Sequence, residues 1–344
     1  MHSLPSQDEN NKKVPAVTVI LPVYNGCRRS PDFMIGAIQS VVDQNYEDFE
    51  LIIVDDGSEE DYTSIIAQFS YDTRVRWVKK ENEGQSAARN FGARLGSGKW
   101  LAFIDQDDYW YPNRLEMTVC RMQEERRHHI NCVMVYSDLD QIDARSRILC
   151  QNYLATRKLG THPKKRLEDI IAENAFILPG TMLVERETFL ELGGFDLRLS
   201  GYEDDELALR FFYRGRIVFI DNALIQWRIY PESYSYSSRM EVSRKFFWEI
   251  LIQAHPDEET VNKLWVRDYI APRFYYEWLH AWRNAVIHQN REQSRRACAG
   301  LKDVAKFLPV KKRIKAYLAS VFPFNIACNV FKTKIARRLA YFLL

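Results

Sequence analysis

An α/β fold, with a mostly parallel central sheet flanked by helices and a C-terminal helical region, is what the sequence predicts. Three observations carry that expectation. Apolar runs of strand length alternate with segments of helical periodicity between residues 17 and 105. Those runs are continuously apolar, as strands buried on both faces are. Beyond about residue 240 the strand signal gives way to aromatic-rich helical periodicity from Val242 to Val286 and then to a basic tail.

The first strand is VTVILPVY at 17–24, closed by the turn Asn25-Gly26. Residues 32–44 then place Phe33, Ile35, Ala37, Ile38, Val41 and Val42 at helical spacing. ELIIV at 50–54 is the second strand, ending in Asp55-Asp56-Gly57-Ser58, and 61–69 reads as a helix. A strand at 74–78, a helix at 85–95 and a strand at 99–105 continue the series. Such alternation implies a parallel sheet that binds ligands beyond the carboxyl ends of its strands. CVMVYSD at 132–138 is a further strand, 150–175 reads as loop and short helix, and FILPGTMLVER at 176–186 is strand-like. A helix at 187–192, the turn Gly193-Gly194, a helix from about Glu203 to Tyr213 and the strand RIVFI at 216–220 complete this part. The expected organisation is a polar tail over 1–14, an α/β domain over 15–240 and a helical, basic region over 241–344.

Composition narrows the function classes. With 344 residues, 46% of them hydrophobic, the chain buries a substantial core. A net charge of +2, from 48 basic and 46 acidic residues, excludes nucleic-acid binding driven by overall charge. The six cysteines form no C-x-x-C pair, the pattern of dispersed thiols in a reducing compartment. MHSLPSQDENNKK lacks the apolar core of a secretory signal, and no run of eighteen uncharged apolar residues is present. A cytoplasmic protein, soluble or peripheral to a membrane, is expected.

Three acidic clusters stand out. In FIDQDD, Asp105 and Asp107 are two apart, on one side of an extended segment and about 6–7 Å apart along it. Two such carboxylates suit a divalent cation, magnesium or manganese; an acidic turn capping the helix that starts near Pro112 is the alternative. Asp55-Asp56-Gly57-Ser58 also suits an ordinary type I turn. Glu203, Asp204, Asp205 and Glu206 open a helix, where the macrodipole alone favours acids by about 0.3–1 kcal/mol each. Trp110 and Tyr111, directly after the second acidic pair, are placed to stack on a sugar or to fill the core. There is no G-x-G-x-x-G and no Walker lysine motif.

Taken in order, VILPVYN at 19–25, IIVDDGS at 52–58, NEGQSAARNFG at 82–92, FIDQDD at 103–108, GGFD at 193–196 and GYEDDELALR at 201–210 resemble glycosyltransferase family 2 over about residues 15–235. The resemblance implies a GT-A fold and transfer of a sugar from a nucleotide-sugar donor with inversion at the anomeric carbon. It places the nucleotide against Pro22, Tyr24 and Asp55 with Arg89 nearby, and Asp105 and Asp107 at the ribose and the metal-bound diphosphate. Asp204 falls at the general base, with Glu203 and Trp110 on the acceptor side. Where many relatives have R-x-H before Ser-x-Ser, this chain has Arg228-Ile229-Tyr230 before Ser233 and Ser235. Tyr230 is not an ordinary metal ligand, but its hydroxyl suits a phosphate oxygen.

Residues 304–344 carry nine Lys or Arg, no Asp or Glu, and interleaved aromatic and aliphatic residues. That mixture suits helices in the interface of an anionic membrane, or a helical cap with a basic outer face. The expected activity is transfer from a nucleotide-sugar, a uridine diphosphate sugar first among the candidates, to a hydroxyl of a saccharide acceptor. A polyprenyl-diphosphate-linked acceptor, surface-polysaccharide assembly and the cytoplasmic face of the inner membrane follow from the tail and the resemblance. A non-catalytic nucleotide-sugar-binding scaffold and a nucleotidyltransferase are the alternatives.

Overall fold

The computed structural model describes residues 14–28, 30–128, 131–158, 160–230, 239–258, 263–321 and 324–331. Ser233, Ser235 and the tail residues 332–344 lie outside them. The elements begin with β1 (Val17–Val23), α1 (Pro31–Val42), β2 (Phe49–Asp56), α2 (Thr63–Phe69), β3 (Val75–Lys80), α3 (Gln85–Leu95) and β4 (Trp100–Phe103), the alternation expected of the apolar runs. Next come β5 (Tyr109–Trp110), α4 (Arg114–Arg127), β6 (Cys132–Ile142), β7 (Ile148–Cys150), α5 (Tyr153–Arg157) and α6 (Leu167–Ala172). They are followed by β8 (Met182–Glu185), α7 (Arg186–Glu191), α8 (Glu203–Arg214) and β9 (Arg216–Arg228). The remainder is α9 (Arg239–Ala254), the paired strands β10 (Asp257–Glu258) and β11 (Lys263–Leu264), α10 (Ala271–Ile287), α11 (Arg291–Ala305), α12 (Val310–Val321) and α13 (Phe324–Phe331).

Strands run in the order β3-β2-β1-β4-β8-β6-β9-β5, with β7 on β6. β3, β2, β1 and β4 pair in parallel, and β6 pairs in parallel with β9. β8 is antiparallel to both β4 and β6, and β5 is antiparallel to β9. Every residue of β1 is buried, as the uninterrupted VTVILPV run requires of a strand covered on both faces.

Three segments differ from expectation for identifiable reasons. The run at 176–186 yields only four strand residues, because Pro179–Thr181 closes a 3₁₀ turn first. β9 continues to Arg228, through Asp221 and Asn222, which a search for apolar runs passes over. The helical periodicity of 242–286 is broken after Ala254, where Pro256 cannot supply the amide of a helix interior, and β10 and β11 intervene before α10.

The chain divides into two compact units: residues 1–163, 176–197 and 210–230 form one, and residues 164–175, 198–209 and 231–344 the other. The sheet belongs to the first. The second has its own core, in which Phe247, Leu251, Phe274, Trp278, Trp282 and Leu301 are buried.

Candidate active site

In the first unit the predicted acids lie at the carboxyl ends of β2 and β4, the two parallel strands that flank β1. Pro22 sits past the last β1–β4 pair, Ile20 with Phe103, where its missing N–H leaves no bond to β4 unmade. Tyr24 follows and is exposed, its amide donating to Gln106 Oε1 at 3.0 Å. Gln106, between the two aspartates of D-Q-D, thus joins the end of β1 to the end of β4. At the end of β2, Asp55 accepts the amide of Ser58 at 2.8 Å and lies 3.3 Å from Lys79 Nζ. Gly57 turns this loop with φ of 75°, and a Cβ there would stand 2.7 Å from the backbone nitrogen of Asn82.

Asp56, two per cent exposed, has a structural task. It takes the Lys80 ammonium at 2.9 Å and the amides of Glu83 and Gly84 at 3.1 and 2.7 Å. Those bonds fix the turn that launches α3. On α3, Arg89 is one per cent exposed and donates to Asp105 Oδ1 at 2.5 Å. Arg89 therefore acts from beneath Asp105, as a buried counter-charge.

Asp107 is half-buried, and the Tyr230 hydroxyl donates to its Oδ2. The resemblance led to Tyr230 through the absence of a histidine, and the structure brings it to the second aspartate of the pair. Arg228 builds the platform under both: its Nε donates to the Asp107 carbonyl at 2.8 Å, its amide to Asp108 Oδ1 at 2.8 Å, and its guanidinium covers Phe33 at 4.1 Å. Asp108 is buried, and burial together with the charges of Asp107 and Asp105 raises its pKa well above the usual carboxylate value. Gln106, Asp56 and Arg228 all lie within the quoted motifs but were given no role there, and only their folded contacts separate architecture from chemistry.

Trp110 is placed differently from its expected acceptor-side position. It is four per cent exposed, inside the apolar cluster that holds Leu115, Val119 and Ile225, with the Arg114 guanidinium 3.9 Å from its ring centroid. The ring is a core element and offers a sugar no face. A cavity of about 360 Å³ lined by Leu154, Lys158, His162, Phe219 and Asp221 contains none of the predicted residues.

Among the described residues no group of three or more His, Cys, Asp or Glu side chains is arranged to hold a metal ion. Two carboxylates, one already on Arg89, match the donor set of a magnesium- or manganese-like ion that draws its other ligands from water and phosphate oxygens.

In the second unit, Asp204 opens α8. It is half-buried, its Oδ1 accepts the Asp205 amide at 2.9 Å, and it makes no ion pair among the described residues. Burial, Asp205 and Glu203 raise its pKa well above the ordinary carboxylate value. Glu203 is buried and accepts the Gly201 amide at 2.6 Å. Asp204 is thus an acid without a cation, whereas Asp205 pairs with Arg273 at 2.5 Å.

The family model described as Glycosyl transferase family 2 matches residues 18–192, just over half of the chain. The uncharacterized glycosyltransferase RP339 of Rickettsia prowazekii is 31% identical over 63% of this chain and 64% of its own length. Glycosyltransferase GlyG of Streptococcus pneumoniae is 28% identical over 62% of this chain and 70% of its own. Matches to five rickettsial glycosyltransferases span between 17% and 66% of those proteins' lengths. S. aureus TarS 1–349, crystallised with UDP-GlcNAc, superposes with a TM-score of 0.66 at 16% identity, over 94% of this chain and 92% of TarS 1–349.

Proposed function

Because the chain belongs to glycosyltransferase family 2 and has its GT-A fold, we propose that it is an inverting glycosyltransferase that moves a sugar from a uridine diphosphate sugar to a hydroxyl of a saccharide acceptor. The observation that carries this reading is the acid pair at the end of β4, with Arg89 beneath Asp105 and the Tyr230 hydroxyl on Asp107. TarS, of the same fold, was crystallised with a uridine diphosphate sugar, which makes that donor class the first to test.

In this reading exposed Tyr24 and buried Asp55 take the base and ribose, and Pro22 shapes the strand end behind them. Asp105 and Asp107 would hold a divalent cation with the donor diphosphate, which would supply positive charge against that developing on the leaving group. Tyr230 holds Asp107 with the single proton of its hydroxyl, and with donor bound that proton would turn to a phosphate oxygen instead. Asp204 takes the proton of the acceptor hydroxyl as its oxygen bonds to the anomeric carbon and the bond to the diphosphate breaks, while Glu203 supports the acceptor side. Attack opposite the leaving group inverts the configuration. Incubating the full chain with UDP-N-acetylglucosamine and other uridine diphosphate sugars, with and without manganese, should raise Tm. Turnover should release nucleoside diphosphate. Pyrophosphate as product would indicate nucleotidyl transfer, and binding without turnover a scaffold.

The acceptor is proposed to be lipid-linked, carried on a polyprenyl diphosphate at the cytoplasmic face of a membrane, in assembly of a surface polysaccharide. α12 supports this. Val310, Ile314, Tyr317, Leu318 and Val321 lie along one stripe of it and are 46% to 67% exposed, flanked by Lys311 and Lys315 on one side and Arg313 on the other, while Ala316 and Ala319 face inward. An apolar stripe left exposed between cations among the described residues, with no acid from 304 onward, suits the interface of an anionic bilayer. No helix among the described residues is long and apolar enough to cross one. The protein is expected to sediment with vesicles containing anionic lipid and not with neutral vesicles. Ile314→Glu with Leu318→Glu should abolish sedimentation without lowering Tm; retention by the double variant would count against this face.

A further inference from the structure

We infer that Arg273, on α10, is a positioning residue for the acidic turn, so that the C-terminal helices are part of the transfer machinery as well as of the fold. This deepens the reading of Asp204 as the base and rests on it.

The turn Ser200-Gly201-Tyr202 that leads into α8 is held at every residue by elements of its own unit. The Ser200 amide donates to Ser243 Oγ at 2.8 Å. Gly201 has φ of 113°, and a Cβ there would stand 2.0 Å from Met240 Sδ. Tyr202 has φ of 66°, stacks on Phe247 at 5.6 Å, donates its hydroxyl to Glu277 at 2.6 Å and accepts from Arg244 at 2.9 Å. Gly201 takes its positive φ freely, but Tyr202 does not, so the geometry of this turn depends on the contacts that hold Tyr202.

Arg273 closes the cluster from the other side. One nitrogen meets Asp205 Oδ2 at 2.5 Å, Nε meets Glu277 at 3.0 Å, and NH1 reaches the carbonyls of Ile171 and Glu173 at 3.3 and 3.0 Å. The Asp205 Oδ1 takes the Ala175 amide at 2.8 Å. Both side chains of the Arg273–Asp205 pair are three per cent exposed. A planar guanidinium satisfies these four acceptors in fixed directions, which an ammonium cannot do. Asp205 is the neighbour of Asp204 and donates its amide to it, so the orientation of Arg273 reaches the base through a single residue. The same pairing offsets the charge that would otherwise repel an ionised Asp204.

The test uses the full chain. Arg273→Lys is expected to lower kcat about 10- to 100-fold, the scale on which a displaced catalytic group slows a reaction, with donor KM within about twofold of the parent. Arg273→Met should lose more than Arg273→Lys. Asp205→Asn keeps size and shape and should show the same split, which decides the matter if the arginine variants do not fold. A fall in Tm with kcat retained, or a rise in donor KM that accounts for the whole loss, would overturn the proposal. Asp204→Asn measured in parallel separates the two readings. If it turns over like the parent, the base assignment is wrong; if it is inactive while Arg273→Lys and Asp205→Asn turn over like the parent, only the positioning role is wrong.

Discussion

Asp204→Asn is expected to lower kcat by about 10²- to 10⁴-fold, the usual contribution of a positioned general base, equivalent to about 3–5 kcal/mol of transition-state stabilisation. Donor affinity should stay close to that of the parent, because the asparagine is isosteric and the residues assigned to the donor are elsewhere. The substitution also removes a charge from a crowded acidic turn, so Tm should hold or rise. Steady-state rates of nucleoside diphosphate release, with donor titrations of both proteins, provide the comparison. The pH profile adds an independent check. A base works only when ionised, and burial with the charges of Asp205 and Glu203 holds the Asp204 pKa well above the usual carboxylate range. Activity should therefore fall with decreasing pH through a midpoint clearly above about 4, the unperturbed aspartate value, and level off above it. A profile flat down to that value would assign proton removal elsewhere.

The second large effect is expected at Asp107. Asp107→Asn should reduce kcat/KM by about 10²- to 10³-fold, as removal of one group stabilising a leaving charge does elsewhere, and should raise the manganese concentration needed for half-maximal rate. Tyr230→Phe, which deletes only the hydroxyl donated to Asp107, should cost about tenfold, in line with one hydrogen bond to a charged group. An unchanged manganese requirement in both variants would remove the metal from this pair. Asp108→Asn makes a useful contrast: Asp108 is buried on the Arg228 amide, so its replacement should register first in thermal stability.

The parallel half of the sheet was readable because strands covered on both faces need continuous apolar runs, and β1, β2 and β4 carry them as VILPV at 19–23, LIIV at 51–54 and WLAF at 100–103. Acids at their carboxyl ends were readable for the complementary reason, since charge after such a run marks where the sheet meets solvent. What escaped reading depends on partners. β9 carries polar residues on an edge-paired stretch, so its second half looks like loop. Trp110 follows an acidic cluster as a sugar platform would, and only packing beneath Arg114 makes it core. Asp56 and Asp108 are as acidic as their neighbours, and the amides they accept decide that they build rather than bind. Acids at the start of α8 satisfy the helix dipole, and nothing local separates Asp204, which makes no ion pair among the described residues, from Asp205, whose arginine lies 68 residues away.

That separation has a consequence during synthesis. At roughly 5–20 residues per second a ribosome delivers Arg273 about 3–14 seconds after Asp205. Until then a carboxylate destined for the interior waits in solvent, and segments 164–175 and 198–209 have left the tunnel without the helices they pack with. A nascent chain that stops short of α10 therefore carries Asp205 without the arginine that neutralises it.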